Sequence, residues 1–270
     1  MNRKLLSYPY IIWIIGFTII PLIFIFIKAM TNADGGFTTE NILAIFDPVH
    51  RKALISSVEL AFIATVICIL LAYPLALLLR DSNVSNQKLM LFILILPMWM
   101  NFILRILALQ MLISNNGIIN FILTHLGFDP VQMINTKGAI VFGMVYDYLP
   151  YMILPVLNAI TAIPEDYIEA SKDLGGGRWQ TFKKIILPLS LPGVGSGIAM
   201  VFVPSMTEFV IANILGGGKI LLLGNVIEQE FITSMNWNLG SGLSLTLMIF
   251  IVITTLLLGD KDSNDRGFAP

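Results

Sequence analysis

Four ionisable side chains sit inside long apolar runs of this 270-residue chain: Glu59, Arg105, Asp147 and Glu208. At the centre of a membrane helix each costs about 2.5–3.5 kcal/mol, so each must face protein or water. Such residues can form an ion pair, bind a cation or relay a proton. Three acids against one base favour a cationic solute over sulfate, phosphate or a sugar. Trp99, Tyr146, Tyr148, Tyr151 and Phe209 lie near them in sequence and can offer ring faces to ammonium groups, although packing is the commoner role of membrane aromatics. Glu208 is the acid best suited to meet such a solute. Asp147, Glu59, Trp99, Tyr148 and Phe209 are the other pathway candidates.

Other chemistries find less support. Cys68 is the sole cysteine, which excludes an internal disulfide and a thiolate metal site. His50 and His125 fall in polar loops, so no metal site is expected. A phosphate-cradling loop needs G-x4-G-K-[ST], and the nearest approach, Gly218-Lys219, is followed by Ile220. No nucleophile–base set lies at depth. The chain is therefore expected to be no enzyme and to bind no cofactor. It has no basic arm interleaved with aromatics, so nucleic acid is no expected partner.

The elements that must position these residues follow from composition. With 56% hydrophobic and 12% charged residues and a mean hydropathy of +0.84, the chain lies far outside soluble averages. Its apolar blocks are about 20 residues long, enough to cross a bilayer core as helix. An all-α polytopic membrane protein surrounded by lipid is predicted, with spans at 10–28, 54–79, 89–113, 138–163, 191–215 and 239–258. The first apolar run is too long for a signal peptide and is expected to stay uncleaved. With the N-terminus inside, ten Lys and Arg residues lie inside and five outside, so the positive-inside rule places both termini and the 164–190 segment in the cytoplasm.

At 1.5 Å per residue, Arg105 and Asp147 lie roughly 12–14 Å below the outer surface. They are the expected ion pair, which leaves Glu59 and Glu208 without an evident base. Pro97, Pro150, Pro155 and Pro204 should kink or hinge their spans. The outer segment 216–238, with Gly216-Gly217-Gly218 and Trp237, is too short and polar to span. It either dips back into the mouth or lies along the interface.

Between the fourth and fifth spans, Pro164, Glu165 and Asp166 suit a helix start, and Gly175-Gly176-Gly177 suits a stop. A second short helix is expected from 178 to 186, ending before Pro188. The result is a helix-turn-helix standing off the membrane, with Ile168, Leu174 and Trp179 free for apolar contacts. Its spacing, Glu169-Ala170-Ser171, three residues, Gly175, nine residues, then Ile185-Ile186-Leu187-Pro188, resembles the E-A-A-x3-G-x9-I-x-L-P loop of ABC importer permeases. Only Ser171 departs from it.

That resemblance implies a six-helix permease of the type I importer kind, with the permease domain at 1–258, the coupling loop at 164–188 and a short polar tail at 259–270. It also implies that Glu169, Ala170, Ser171, Leu174, Gly175, Ile185, Leu187 and Pro188 dock an ATPase, which would hold the ATP and Mg. Ile95-Leu96-Pro97-Met98-Trp99, Tyr148-Leu149-Pro150-Tyr151-Met152, Glu208-Phe209-Val210, Gly224-Asn225-Val226-Ile227 and Asn236-Trp237-Asn238-Leu239-Gly240 are similar to the spermidine/putrescine branch of these bacterial permeases. The branch implies a second homologous permease, an ATPase dimer and an extracytoplasmic polyamine-binding protein. Competing readings are an importer of another solute, such as thiamine or ferric iron, and an ion-coupled secondary transporter using Glu208 or Asp147.

Overall fold

An apolar segment in lipid must close its own backbone hydrogen bonds, and a helix does so within one segment. The computed structural model of the chain describes residues 8–259 apart from residue 83. The expected basic N-terminal residues and, Gly259 aside, the 259–270 tail lie outside the described residues. Among the described residues, six helical runs are long and apolar enough to cross a membrane: Ile12–Ala29, Pro48–Arg80, Phe102–His125, Lys137–Thr161, Arg178–Met206 and Trp237–Leu256. Each overlaps one expected span, but two are cut differently.

In chain order, α1 (Tyr8–Ile14) and α2 (Ile20–Ala29) meet at a π-turn, and a short helix, α3 (Glu40–Leu43), leads to α4 (Pro48–Arg80). Next come α5 (Val84–Ile95), α6 (Phe102–Ile113), α7 (Ile118–His125) and α8 (Lys137–Thr161). A hairpin of α9 (Glu165–Asp173) and α10 (Arg178–Thr181) precedes α11 (Leu187–Met206), and α12 (Val210–Gly216), α13 (Leu223–Ile232) and α14 (Trp237–Gly259) follow. The end of the bundle that carries α9 and α10 is called the hairpin end below.

The core is the packing of α4, α8 and α11. Ala64, Cys68, Ala72 and Ala76 of α4 are buried along one stripe, with Met144, Met152, Val156 and Ile160 of α8. Small residues set the helix separation, since membrane helices gain from close backbone approach. A Cβ added to Gly193 of α11 would stand 2.6 Å from the Pro155 carbonyl oxygen of α8. Away from the hairpin end, Ile45, Ala61, Met206, Leu223, Val226 and Leu243 form a second apolar cluster that ties α13 and α14 to α4.

Span three is not one helix. It stops at Ile95, turns through Leu96–Trp99 and restarts at Phe102, because Pro97 has no N–H to continue the ladder. The Asn101 side chain then caps the restart by accepting from the Leu104 amide at 3.2 Å. By contrast, α8 continues as helix through Pro150 and Pro155, and α11 through Pro204, two residues before it ends. Of the four prolines, only Pro97 breaks its helix.

Span five also differs. The second hairpin helix does not end before Pro188: α10, a π-turn at Phe182–Ile186 and α11 form one 29-residue run, Arg178–Met206, about 43 Å long. Pro188 is the second residue of α11. The wider π-turn just before it, in which the Leu187 amide reaches back to the Phe182 carbonyl, removes the need for the donor that proline lacks. The run then stops at Met206, short of the expected 215.

Segment 216–238 dips back into the bundle. The Leu223 amide donates to Ser57 Oγ of α4 at 2.9 Å, and Gly224 lies against the Thr207 and Glu208 carbonyls. Phe231, further along α13, packs on Gly240 near the start of α14. Hence α13 runs antiparallel to α14, with its first turn deepest.

Gly193→Ala should lower the stability of the chain by about 1–3 kcal/mol through overpacking. Gly195→Ala, where a Cβ meets nothing within 4 Å, should be neutral or slightly stabilising. Thermal unfolding of the purified permease in detergent checks the pair.

Candidate functional site

Two helix breaks and a re-entrant helix leave backbone groups unpaired far from bulk water, and buried polar side chains meet them. Arg105 of α6 is 8% exposed and forms an ion pair with Asp147 of α8, itself 5% exposed. A second guanidinium nitrogen of Arg105 donates to the Pro97 carbonyl at 2.9 Å, an oxygen in the break of span three that also accepts from the Met100 amide at 3.2 Å. The next residue on α8, Tyr148, donates its hydroxyl to Glu208 Oε2 at 2.5 Å. Glu208 Oε1 accepts from the amides of Phe209 and Ile211 at 3.1 and 3.0 Å, so the carboxylate caps the first turn of α12.

The chain of contacts continues into α13. Asn225 Nδ2 donates to the Phe209 carbonyl at 3.0 Å and to Asn213 Oδ1 at 2.7 Å. Asn225 Oδ1 accepts from the Leu222 amide at 3.1 Å, and Asn213 Nδ2 donates to Glu228 at 3.0 Å. The polar network thus consists of two hydrogen-bonded groups, one at each break, that meet on the consecutive residues Asp147 and Tyr148 of α8.

This geometry changes two expectations. Glu59 is not without a base: it pairs with Lys137 at 2.7 Å, both largely solvated. Glu208 has no base, but both of its oxygens are engaged by Tyr148 and backbone amides rather than left open to a solute. Sequence depth alone could not reveal the bond from Tyr148 or the helix start at Val210. Of the five aromatic candidates, Tyr148 is buried, Tyr146 and Tyr151 are partly exposed, Trp99 is 79% exposed and edge-on to Phe92, and Phe209 lines a cavity of about 570 Å³ with Thr207, Gly224, Glu228, Phe231 and Ser244. His50 and His125 lie at helix ends rather than in loops, each with a ring nitrogen on a backbone carbonyl.

At the hairpin end, Arg80 closes α4 and donates to the Ile163 carbonyl and to Glu165, both at 3.1 Å, which pins the start of the loop. Pro164 is the N-cap of α9 rather than its first residue. Gly175 follows the end of α9 with φ +78°, the left-handed conformation that only glycine takes at little cost. Ser171 Oγ meets Thr181 Oγ1 at 2.9 Å and so joins α9 to α10. The departure from alanine at this position therefore has a structural use. Glu169, Ala170, Leu174 and Pro188 are exposed, whereas Ile185 and Leu187 are half-buried at the foot of α11. Leu174 is 90% exposed and Trp179, one face of which stacks on Phe182, 70%, which gives the hairpin an exposed apolar tip.

The family model for the inner membrane component of binding-protein-dependent transport systems matches residues 69–260. That stretch holds the hairpin and, apart from His50, Ser57 and Glu59, the polar residues just described. The chain belongs to this family. Among its relatives, the spermidine/putrescine transport system permease protein PotB of Haemophilus influenzae is 36% identical over 249 residues, spanning 89% of this chain and 87% of that protein. PotB of Escherichia coli is 35% identical over 253 residues, spanning 91% and 92%. A crystal structure of a bacterial ABC transporter that imports alginate aligns over 97% of this chain and 98% of its own, with a TM-score of 0.78 at 16% identity. The methionine ABC transporter MetNI aligns over 80% and 96%, with a TM-score of 0.53 at 20% identity. The permease is thus an all-helical, multi-pass inner membrane protein with the fold of the type I ABC importers.

Removing one partner of a buried ion pair leaves the other charge stranded, at a cost of about 3–5 kcal/mol. Arg105→Met alone should destabilise the permease by that order, and Arg105→Met with Asp147→Asn should recover a large part of the loss. A double-mutant cycle in thermal unfolding measures it.

Proposed function

We propose that this permease is one of two homologous membrane subunits of an ATP-driven importer that moves polyamines, spermidine or putrescine, into a bacterial cytoplasm. The observation that carries this reading is the complete docking spacing, presented as an exposed hairpin and built on a helix that runs without interruption to the polar network. The substrate class is supported by the PotB relatives, more than one third identical over about nine-tenths of the chain.

In this reading the hairpin end faces the cytoplasm, with both termini on that side, and the 164–188 loop seats on a separate ATPase dimer that holds ATP and Mg. Glu169, Ala170, Ser171, Leu174, Gly175, Ile185, Leu187 and Pro188 form or support the seat. An extracytoplasmic polyamine-binding protein delivers solute to the opposite end. Trp99 and Phe209 offer ring faces to ammonium groups along the path, with Glu228 supplying negative charge, whereas Glu59 is held by Lys137. Asp147, Tyr148 and Glu208 border the path from within the protein. Hydrolysis belongs to the ATPase, so this chain acts by moving.

Membrane vesicles carrying this permease, its partner permease, the ATPase and the binding protein should take up labelled spermidine or putrescine only when the ATPase is present. Uptake without the ATPase would contradict the pump, and ATPase-dependent uptake of neither polyamine would contradict the substrate class. Gly175→Leu should abolish co-purification of the ATPase, because φ +78° costs an L-residue roughly 1–2 kcal/mol and the new side chain projects from the seat. Gly175→Ala should weaken it less.

A further inference from the structure

We infer that Glu208 and Tyr148 form a latch that couples the docking hairpin to the outward half of the transport path, and that Glu208 acts as a positioning residue rather than as a substrate ligand. The inference rests on the importer reading above and adds a residue-level joint to it.

The geometry has three parts. First, the hairpin is not linked to the bundle by a flexible loop on its C-terminal side: Arg178–Met206 is one helical run. A displacement of α10 therefore reaches Met206 along a helix axis. Second, that run ends where it meets Glu208. Only Thr207, Glu208 and Phe209 separate it from α12, and Phe209 has non-helical backbone angles of φ −136° and ψ −30°. Third, the turn beyond the joint is organised by one buried carboxylate. Glu208 holds the α12 amides with Oε1 and is held to α8 by the Tyr148 hydroxyl through Oε2. The same joint supports α13, because the Phe209 carbonyl accepts from Asn225 and Gly224 packs on the Thr207 and Glu208 carbonyls.

Tyr148 is therefore the one side-chain hydrogen bond in the described residues that ties the α12 cap to the α4–α8–α11 core. When it is made, α12 and α13 keep one position relative to α8. When the long helix shifts, the bond must stretch or break, and α12 and α13 are left with their apolar packing and the Gln110–Ile214 and Leu223–Ser57 hydrogen bonds, on which they can take a second position. A two-position element of this kind is how a small displacement at one site becomes a rearrangement at another.

Glutamine at position 208 can still accept from both amides and can donate to the tyrosine oxygen, whereas alanine and a phenylalanine at 148 cannot complete the bond. The complete importer in liposomes, with variants Tyr148→Phe, Glu208→Ala and Glu208→Gln, separates the roles through basal ATP hydrolysis, ATP-driven uptake and the solute KM. A latch predicts that Tyr148→Phe and Glu208→Ala uncouple the importer. Basal hydrolysis then rises and uptake per ATP falls by about fivefold or more, the lower range of allosteric coupling, while KM stays within about twofold of wild type. Glu208→Gln should keep most of the coupling.

The inference is overturned if Glu208→Gln raises KM by about tenfold while Tyr148→Phe transports normally, the pattern of a lost charged ligand. It is also overturned if Tyr148→Phe leaves the ATP-to-uptake ratio unchanged. Tyr148→Phe removes only a hydroxyl, so its assembled complex can be compared with wild type even if Glu208→Ala fails to assemble. Failure of the polyamine reading is a separate result: wild-type importer would move neither polyamine, and the difference in basal hydrolysis between wild type and Tyr148→Phe would still decide the latch.

Discussion

A helix that breaks inside an apolar bundle must find partners for the carbonyls and amides it releases, and the arrangement of this permease depends on how those partners are supplied. Arg105 adds a donor to the Pro97 carbonyl at the break in span three, and Glu208 takes the Phe209 and Ile211 amides freed in span five. Both side chains are then held from α8, by Asp147 and by Tyr148, which are consecutive residues. One helix therefore fixes both breaks. An unpaired charge at this depth would cost several kcal/mol, so the two interruptions are tolerable only together with these partners.

That arrangement separates the permease into a part built for packing and a part built for movement. Alanine, glycine and methionine along α4, α8 and α11 let the core helices approach closely. Around the joint the short helices α12 and α13 add side-chain hydrogen bonds from Glu208 and Asn225 to the apolar packing of Ile211, Leu215, Leu223 and Val226. Hydrogen bonds can be exchanged in discrete steps, whereas a close-packed apolar core resists gradual deformation. The exposed Leu174 and Trp179 at one end and the Phe209 cavity at the other are joined by the long helix between them.

Much of this was legible in the sequence because hydropathy reports what lipid demands. Six apolar runs, the hairpin with its glycine stop at Gly175, and the match in depth between Arg105 and Asp147 could all be read from spacing. Where helices stop inside an apolar run was not legible. Pro97 interrupts a helix but Pro150, Pro155, Pro188 and Pro204 do not, and local sequence does not distinguish them. The difference lies in what surrounds each proline: Asn101 caps a restart after Pro97, while a π-turn absorbs Pro188. The stop before Glu208 was hidden for a related reason. An acid in an apolar run signals function or pairing equally, and only the amides of Phe209 and Ile211 show it to be a cap. Asn225, in Gly224-Asn225-Val226-Ile227, was a visible polar residue in an apolar stretch, but nothing nearby indicated that it would reach back to Phe209. Lys137 as the partner of Glu59 was concealed by its place at the edge of a span.

The most direct measurement is a pair of distances in the assembled importer in liposomes, with Cys68 replaced and spin labels at the exposed positions Gln180, Met200 and Lys219. The Gln180–Met200 distance spans the long helix, and the Met200–Lys219 distance spans the Glu208 joint. A continuous helix with a joint at its end predicts that ATP binding leaves the first distance unchanged and shifts the second. A change in the first with none in the second would place the movement within the helix, at the π-turn or its prolines, and would contradict the role assigned to the joint.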